Sequence, residues 1–262
     1  MTETGPAALR RLLRDSGALW RDSAAQALAV MACAAVPASL LLGGALAATG
    51  LTTQAALNEA IRAGQWRLAV PVLAAGLVQR LAITLAYAAM VFAVEAKRVG
   101  RALPLGEAFG YAAERFVPLL LALLRAALWI AGGLVLLVIP GLILAVRYAY
   151  VHLAVLLDGA NGGDALRRSA RLVDAEPRRA AGYLLVAILA AAALSFIAIL
   201  VVSTACALPR AIAAEPGAVE GQLEILLSQL VSGLVGAWLT SFAILLYRDL
   251  GSRHPAQHQA LV

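Results

Sequence analysis

Three arginines stand where hydrocarbon is expected: Arg80, Arg125 and Arg147 each interrupt a long apolar stretch. A guanidinium is a permanent cation whose planar fork of donors suits bidentate pairing with a carboxylate or a phosphate. A charged side chain at the centre of a membrane span costs about 2.5–3.5 kcal/mol on insertion scales, so an ion there calls for a partner or a purpose. The sequence offers no acidic residue at comparable depth, since Glu95 falls at one end of its stretch and Glu224 near the end of another. The chemistry this pattern suggests is a basic pocket for an anionic group, above all a lipid phosphate. The alternative is that each long side chain snorkels on its own or bonds a carbonyl at a helix break.

A second candidate is the turn Asp158-Gly159-Ala160-Asn161-Gly162-Gly163 with Arg167, Arg168 and Arg171 just beyond it. A glycine-rich turn entering a helix N-terminus has the ingredients of an anion site. It lacks the Gly-Lys-Ser/Thr of a nucleotide loop, and a solvated loop with Asp164 as helix cap explains it equally well. Catalytic constellations are absent from the sequence: there is no His-Glu-x-x-His, no Gly-x-Ser-x-Gly and no paired intramembrane carboxylate. His152 is the single histidine inside an apolar stretch, and Ser195, Ser203 and Ser228 read as packing residues. Cys33 and Cys206 fall in different stretches, so neither a disulfide nor a metal pair is expected, and no cofactor is implied. The reading is of a protein that is not an enzyme.

The elements that must position these residues follow from composition. Of 262 residues, 62% are hydrophobic and 14% charged, with a mean hydropathy of +0.85. A soluble chain is typically about 45–50% apolar and about 25% charged. The fold class is therefore an all-α integral-membrane bundle, with spans at about 24–48, 67–95, 117–138, 140–157, 180–208 and 222–247 of a single domain, 1–250, and a polar tail, 251–262. A separate soluble catalytic domain has no room in this layout. The apolar block 117–157 would make a helix about 60 Å long, twice the hydrocarbon thickness, so it must fold back. Ile139-Pro140-Gly141 is the expected structural break, since proline removes a helix donor and suits the start of the next helix. Gly132-Gly133 is the weaker alternative.

Three amphipathic segments, Leu9–Asp22, Leu105–Phe116 and the helix after Asp164, precede the first, third and fifth spans and read as interfacial helices. The pattern is compatible with three parallel repeats of surface helix plus hairpin, about 9–95, 105–157 and 165–248; independent origin of the surface helices explains it as well. Arg10, Arg11, Arg14, Lys97, Arg98, Arg167, Arg168 and Arg171 fall on one side of such a bundle, against Arg62, Arg67 and Arg210 on the other. This bias predicts both termini in the cytoplasm. It also accounts for the net charge of +6 without nucleic acid. The first apolar run is close to span length and is expected to be an uncleaved span. Ser228, Ser232 and Gly236 recur every fourth residue, a small-residue face for internal contacts or for a homodimer or membrane-protein partner.

The segment Leu137 to Leu172 carries a more specific pattern: Ile139-Pro140-Gly141, Arg147 in the following span, Asp158 at its end, then a glycine turn and Ala165 with Arg168-Ser169. The last span closes on Leu246-Tyr247-Arg248-Asp249. This resembles the membrane domains associated with glycerophosphoryl diester phosphodiesterases, which also occur as stand-alone bacterial proteins. Asp158 departs from the glutamate more usual there. The resemblance implies a multi-pass module of the bacterial inner membrane, without phosphodiesterase activity because the catalytic domain is lacking. The function expected is binding or organising anionic membrane lipid. A transporter or permease component is the alternative, with Pro37 and Pro71 as possible helix breaks, and an intramembrane enzyme comes third.

Overall fold

The apolar stretches all fold as helices, because a backbone in hydrocarbon must satisfy its own N–H and C=O groups. The computed structural model describes residues 6–51, 54–212 and 218–253, and side chains within them except at 6, 54 and 206–225. Among the described residues there is no strand. The helices are α1 (Pro6–Thr49), α2 (Gln54–Arg62), α3 (Trp66–Arg98), α4 (Leu105–Leu136), α5 (Val138–Arg147), α6 (Val151–Asp158), α7 (Gly162–Ala175), α8 (Pro177–Ile212) and α9 (Ala218–Arg253). Among the described residues six helices are long and apolar enough to cross a membrane, the fourth being α5 and α6 taken together over Val138–Asp158. The protein is a multi-pass, all-α membrane protein.

Three boundaries differ from the sequence reading. Leu9–Asp22 is not set off from the first span but continues into it as one 44-residue helix. Nothing at Asp22-Ser23-Ala24 breaks it, and Ser23 bonds back to the Leu19 carbonyl at 2.8 Å, a pattern a continuous helix accommodates. Leu105–Phe116 likewise runs straight into the third span, through Pro118. Of the three expected surface helices, only α7 is separate from the spans. The last helix also extends beyond the expected span to Arg253, whose Nε donates to Asp249 at 3.2 Å; His254, His258 and the rest of the tail lie outside the described residues, as does the side chain of Cys206.

The fold-back occurs at Leu137, which is extended at φ −162° and ψ 141°. Pro140 is the third residue of α5, in the first turn where its missing N–H costs nothing. Gly141 and Gly133 let the two arms touch: a Cβ on Gly133 would lie 3.0 Å from the Gly141 Cα. Both glycine candidates from the sequence therefore serve one close crossing. Pro37 and Pro71 lie inside continuous helices. The discontinuity is elsewhere, at the turn Tyr148-Ala149-Tyr150 between α5 and α6.

The best-buried core is made by Ala86–Val94 of α3 together with α6, the inner face of α7 and Phe242–Leu250 of α9. α1 packs chiefly on α3 and α9, and α8 chiefly on α9. Ser39 links three helices: Gln79 of α3 donates to its hydroxyl at 3.1 Å, and it donates to Gln229 of α9 at 3.1 Å. Away from the core the surface is apolar, with exposed leucine, valine and isoleucine along Leu68–Val78, Leu134–Ile143 and Leu185–Val201. That is the surface a bilayer would solvate.

Candidate functional site

The three intramembrane arginines go to three places. Arg147 on α5 pairs with Asp174 on α7, which corrects the expectation that no carboxylate reaches it; the folded position of α7 was not readable from span order. Arg125 on α4 is exposed, and its guanidinium lies against Gly162 at the start of α7. Arg80 on α3 is exposed at the bundle surface, with no acidic partner among the described residues. The three arginines therefore do not line one pocket: Arg147 reaches Asp174, Arg125 reaches the start of α7, and Arg80 faces outward.

The glycine turn is likewise occupied from within. Gly159 ends α6 in the left-handed region at φ 70°, a conformation that glycine adopts without steric penalty. Its open face holds the Arg115 guanidinium, which donates to the Val155 carbonyl at 3.0 Å. The cap residue of α7 is Asn161, not Asp164, which instead pairs with Arg167 one turn on. Arg167 and Arg171 are exposed, whereas Arg168 turns inward. These three do not form one anion site.

What Arg168 reaches is the centre of an ionic cluster. Its Nε lies 3.0 Å from Asp158, at the end of α6. The same carboxylate accepts the Tyr247 hydroxyl and lies 3.6 Å from Arg248, both on α9. Arg248 also bonds Glu95 of α3 at 2.8 Å, and Glu95 takes Arg98 in a bidentate pair at 2.7 and 2.8 Å. Alongside, Arg179 at the start of α8 bonds Asp249 at 2.9 Å and stacks over Tyr183. Asp158 and Arg168 side chains are only 9% and 12% exposed, so each charge depends on the others for the hydration it has lost. The cluster ties together α3, α6, α7, α8 and α9. Ser169, next to Arg168, repairs the break in the fourth span: its hydroxyl donates to the Arg147 carbonyl at 2.6 Å and accepts the Tyr150 N–H at 3.2 Å. The spaced residues Arg147, Asp158, Arg168-Ser169 and Tyr247-Arg248 are thus brought together in one structural unit.

Beside this cluster lies a cavity of about 820 Å³, within the range of small-molecule sites. α3 contributes Thr84, Tyr87, Ala88 and Val91, one stripe of its surface. α4 and α5 contribute Leu119, Leu123, Leu142 and Val146; α8 contributes Leu184, Leu185 and Ile188; Gly236, Thr240 and Ala243 come from α9. Leu123 and Leu142 on one side and Leu185 and Ile188 on the other are also exposed, so the cavity opens sideways between the α4–α5 hairpin and α8. The lining includes none of Arg80, Arg125 and Arg147. Arg80 sits one turn before Thr84 on the same stripe of α3, and its carbonyl accepts the Thr84 hydroxyl at 2.8 Å.

Polar groups in the lining are few. His152 is bonded back to the Ala149 carbonyl. Tyr150 is 1% exposed, and its hydroxyl has no hydrogen-bond partner among the described residues. No carboxylate and no serine lines the cavity among the described residues, and no group of histidine, cysteine and carboxylate side chains there is placed to hold a metal. Sequence reasoning passed over the cavity because its walls are ordinary Ala, Leu and Val; the tyrosines at 87 and 150 were the available signal.

Residues 12–250 match the family model described as Domain of unknown function (DUF7847). No curated protein matches the chain, and no solved structure does. Nothing in these comparisons connects it to the phosphodiesterase-associated membrane domains.

Proposed function

The chain belongs to the DUF7847 family, and from that premise we propose that it is a non-enzymatic membrane protein that binds membrane lipid. The observation that carries this reading is the apolar cavity with its sideways mouth between the α4–α5 hairpin and α8. A solute drawn from water would meet an apolar wall, whereas a lipid chain can enter from the bilayer without leaving hydrocarbon. Anionic headgroups find a cation at Arg80, one turn from the cavity lining, and a separate basic groove of Arg10, Arg11 and Arg14 at the start of α1. Each arginine near the surface attracts an anionic leaflet by roughly 1 kcal/mol. The membrane proposed is the bacterial inner membrane with both termini cytoplasmic, and a reporter joined after Arg253 that reads outside would overturn that orientation.

The test is native mass spectrometry from mild detergent after delipidation and re-addition of phosphatidylglycerol or phosphatidylcholine. The wild type should retain lipid, phosphatidylglycerol more strongly. Leu185→Trp and Ile188→Trp, at exposed positions in the mouth, should fold and lose it. Equal retention by the blocked variants would sink the cavity as the site. Arg80→Ala should reduce the headgroup preference alone.

Transport is the second reading, favoured by the break at Tyr148-Ala149-Tyr150 beside the cavity, because discontinuous helices often border transport sites. It predicts lipid movement between leaflets in reconstituted vesicles, which simple binding does not.

A further inference from the structure

We infer that the chain carries a second lipid site, apart from the cavity. It takes an anionic phospholipid, with the phosphate between Arg14 and Arg21 of α1 and an acyl chain in the apolar groove among α1, α8 and α9. The groove shares no lining residue with the cavity, and its occupancy does not depend on the cavity holding lipid.

The groove has a volume of about 530 Å³. α1 and α8 both pack on α9, and the groove lies among the three. Trp20 and Arg21 of α1, Leu194 and Ile197 of α8, and Leu234 and Trp238 of α9 line it. Trp20 is fixed there, since its indole N–H donates to the Leu234 carbonyl at 2.9 Å. Leu194 and Ile197 are exposed, so the groove is open from the side. α8 and α9 also line the cavity, but through Leu184, Ile188, Gly236 and Thr240. At 3.6 residues per turn these fall on different faces of the two helices from the groove's residues.

Charge names the occupant. Arg10, Arg14, Gly17 and Arg21 recur at spacings of four, three and four residues, and so share one face of α1. Arg10 and Arg14 line the basic groove at the start of the helix, and Gly17 and Arg21 line the apolar groove. The two grooves are therefore consecutive along one stripe. Gly17 leaves a notch between Arg14 and Arg21, where a Cβ would meet nothing within 4 Å. The two arginines stand about 10 Å apart along the axis, a span that two long guanidinium side chains close around one phosphate. All three arginines are exposed. Arg10 and Arg21 make no ion pair among the described residues, and Arg14 has only a loose contact with Asp15 at 3.5 Å. Past Asp22, α1 carries no charge as far as Thr49, so Arg21 is the last cation before the uncharged span. A phospholipid has the same order of parts, an anionic phosphate and then hydrocarbon. A soluble anion would leave the groove unfilled, and a neutral lipid would leave the arginines unused.

The experiment uses the full chain in mild detergent with Trp66→Phe and Trp129→Phe, which leaves Trp20 and Trp238 as the fluorophores. The probes are phosphatidylglycerol and phosphatidylcholine with brominated chains, which quench indole on close approach. Phosphatidylglycerol should quench at an about tenfold lower lipid fraction than phosphatidylcholine, since each arginine adds attraction for the anionic headgroup. Arg14→Gln with Arg21→Gln should bring the two lipids level. Gly17→Leu should do the same by filling the notch, with a melting temperature no lower than the parent's, because leucine favours a helix over glycine. Arg167→Gln with Arg171→Gln removes the same charge from α7 and should leave the preference intact. Equal quenching by the two lipids in the parent, or a preference that survives the α1 substitutions, would overturn the site. So would its loss in the α7 control, which would make it an effect of net charge. A Gly17→Leu protein that melts earlier would overturn it as well, by showing that the notch is not open space. No tryptophan lines the cavity, so each of these results leaves the cavity reading to its own test.

Discussion

Ser169 on α7 accepts the backbone N–H of Tyr150 at 3.2 Å, and so fills the hydrogen-bond gap where the fourth span breaks. The same hydroxyl donates to the Arg147 carbonyl at 2.6 Å. One side chain from another helix therefore replaces two groups' worth of missing ladder. Ser169→Ala should lower stability by about 1–3 kcal/mol, because a buried N–H and C=O are left unmade. Thermal unfolding in detergent measures the loss, and amide exchange locates it: Tyr150 should lose protection while Ala88 in α3 keeps it. Unchanged protection at Tyr150 would mean that the break is held by something else.

Asp158 of α6 is the acceptor on which α7 and α9 converge, through Arg168, Tyr247 and Arg248. Asp158→Ala removes the buried carboxylate that faces the buried Arg168 guanidinium and should destabilise by about 3–5 kcal/mol. A double-mutant cycle of Asp158→Asn with Tyr247→Phe should return a coupling of about 0.5–3 kcal/mol, since the two groups touch. Additive effects would contradict the contact.

The arginines should separate in mutation. Arg147→Ala strands Asp174, yet both side chains are roughly half-exposed, so the loss should be about 1 kcal/mol or less. Arg80→Leu removes an exposed cation with no acidic partner among the described residues and should leave the melting temperature unchanged or raise it. If Arg80→Leu proves the more damaging of the two, Arg80 has a structural partner after all.

The last helix crosses its neighbours at glycines with different tolerances. A Cβ on Gly236 would lie 2.7 Å from the Tyr87 ring, and one on Gly233 would lie 2.8 Å from Met31 Cγ. Methionine repacks more easily than an aromatic ring does. Gly236→Ala should therefore cost more than Gly233→Ala, within the roughly 1–3 kcal/mol typical of overpacking. Comparing the two melting temperatures decides the order.

The sequence revealed the class, the six apolar stretches and the fold-back near Pro140, because all three depend on local composition and on helix length against bilayer thickness. The small-residue face of the last span was legible as a type: Gly236 packs against the Tyr87 ring, and the neighbouring Gly233, Ala237 and Ser241 are buried. The joining of Leu9–Asp22 to the first span was not legible, since amphipathicity marks a face and says nothing of where a helix stops. Nor was Asp174 as the partner of Arg147: the two are 27 residues apart, and only the return of α7 against α5 brings them together. The cavity escaped for a related reason, since a void is a property of how walls meet and its walls are unexceptional residues.

The Asp158 cluster also has an order in time. Asp158 and Arg168 belong to adjoining helices and can pair as soon as both have been synthesised, whereas Tyr247 lies 89 residues further along the chain. The carboxylate can thus be neutralised by Arg168 before the closing helix has been synthesised. A chain ending before α9 would keep the Asp158–Arg168 pair while lacking the Tyr247 and Arg248 contacts that close the cluster.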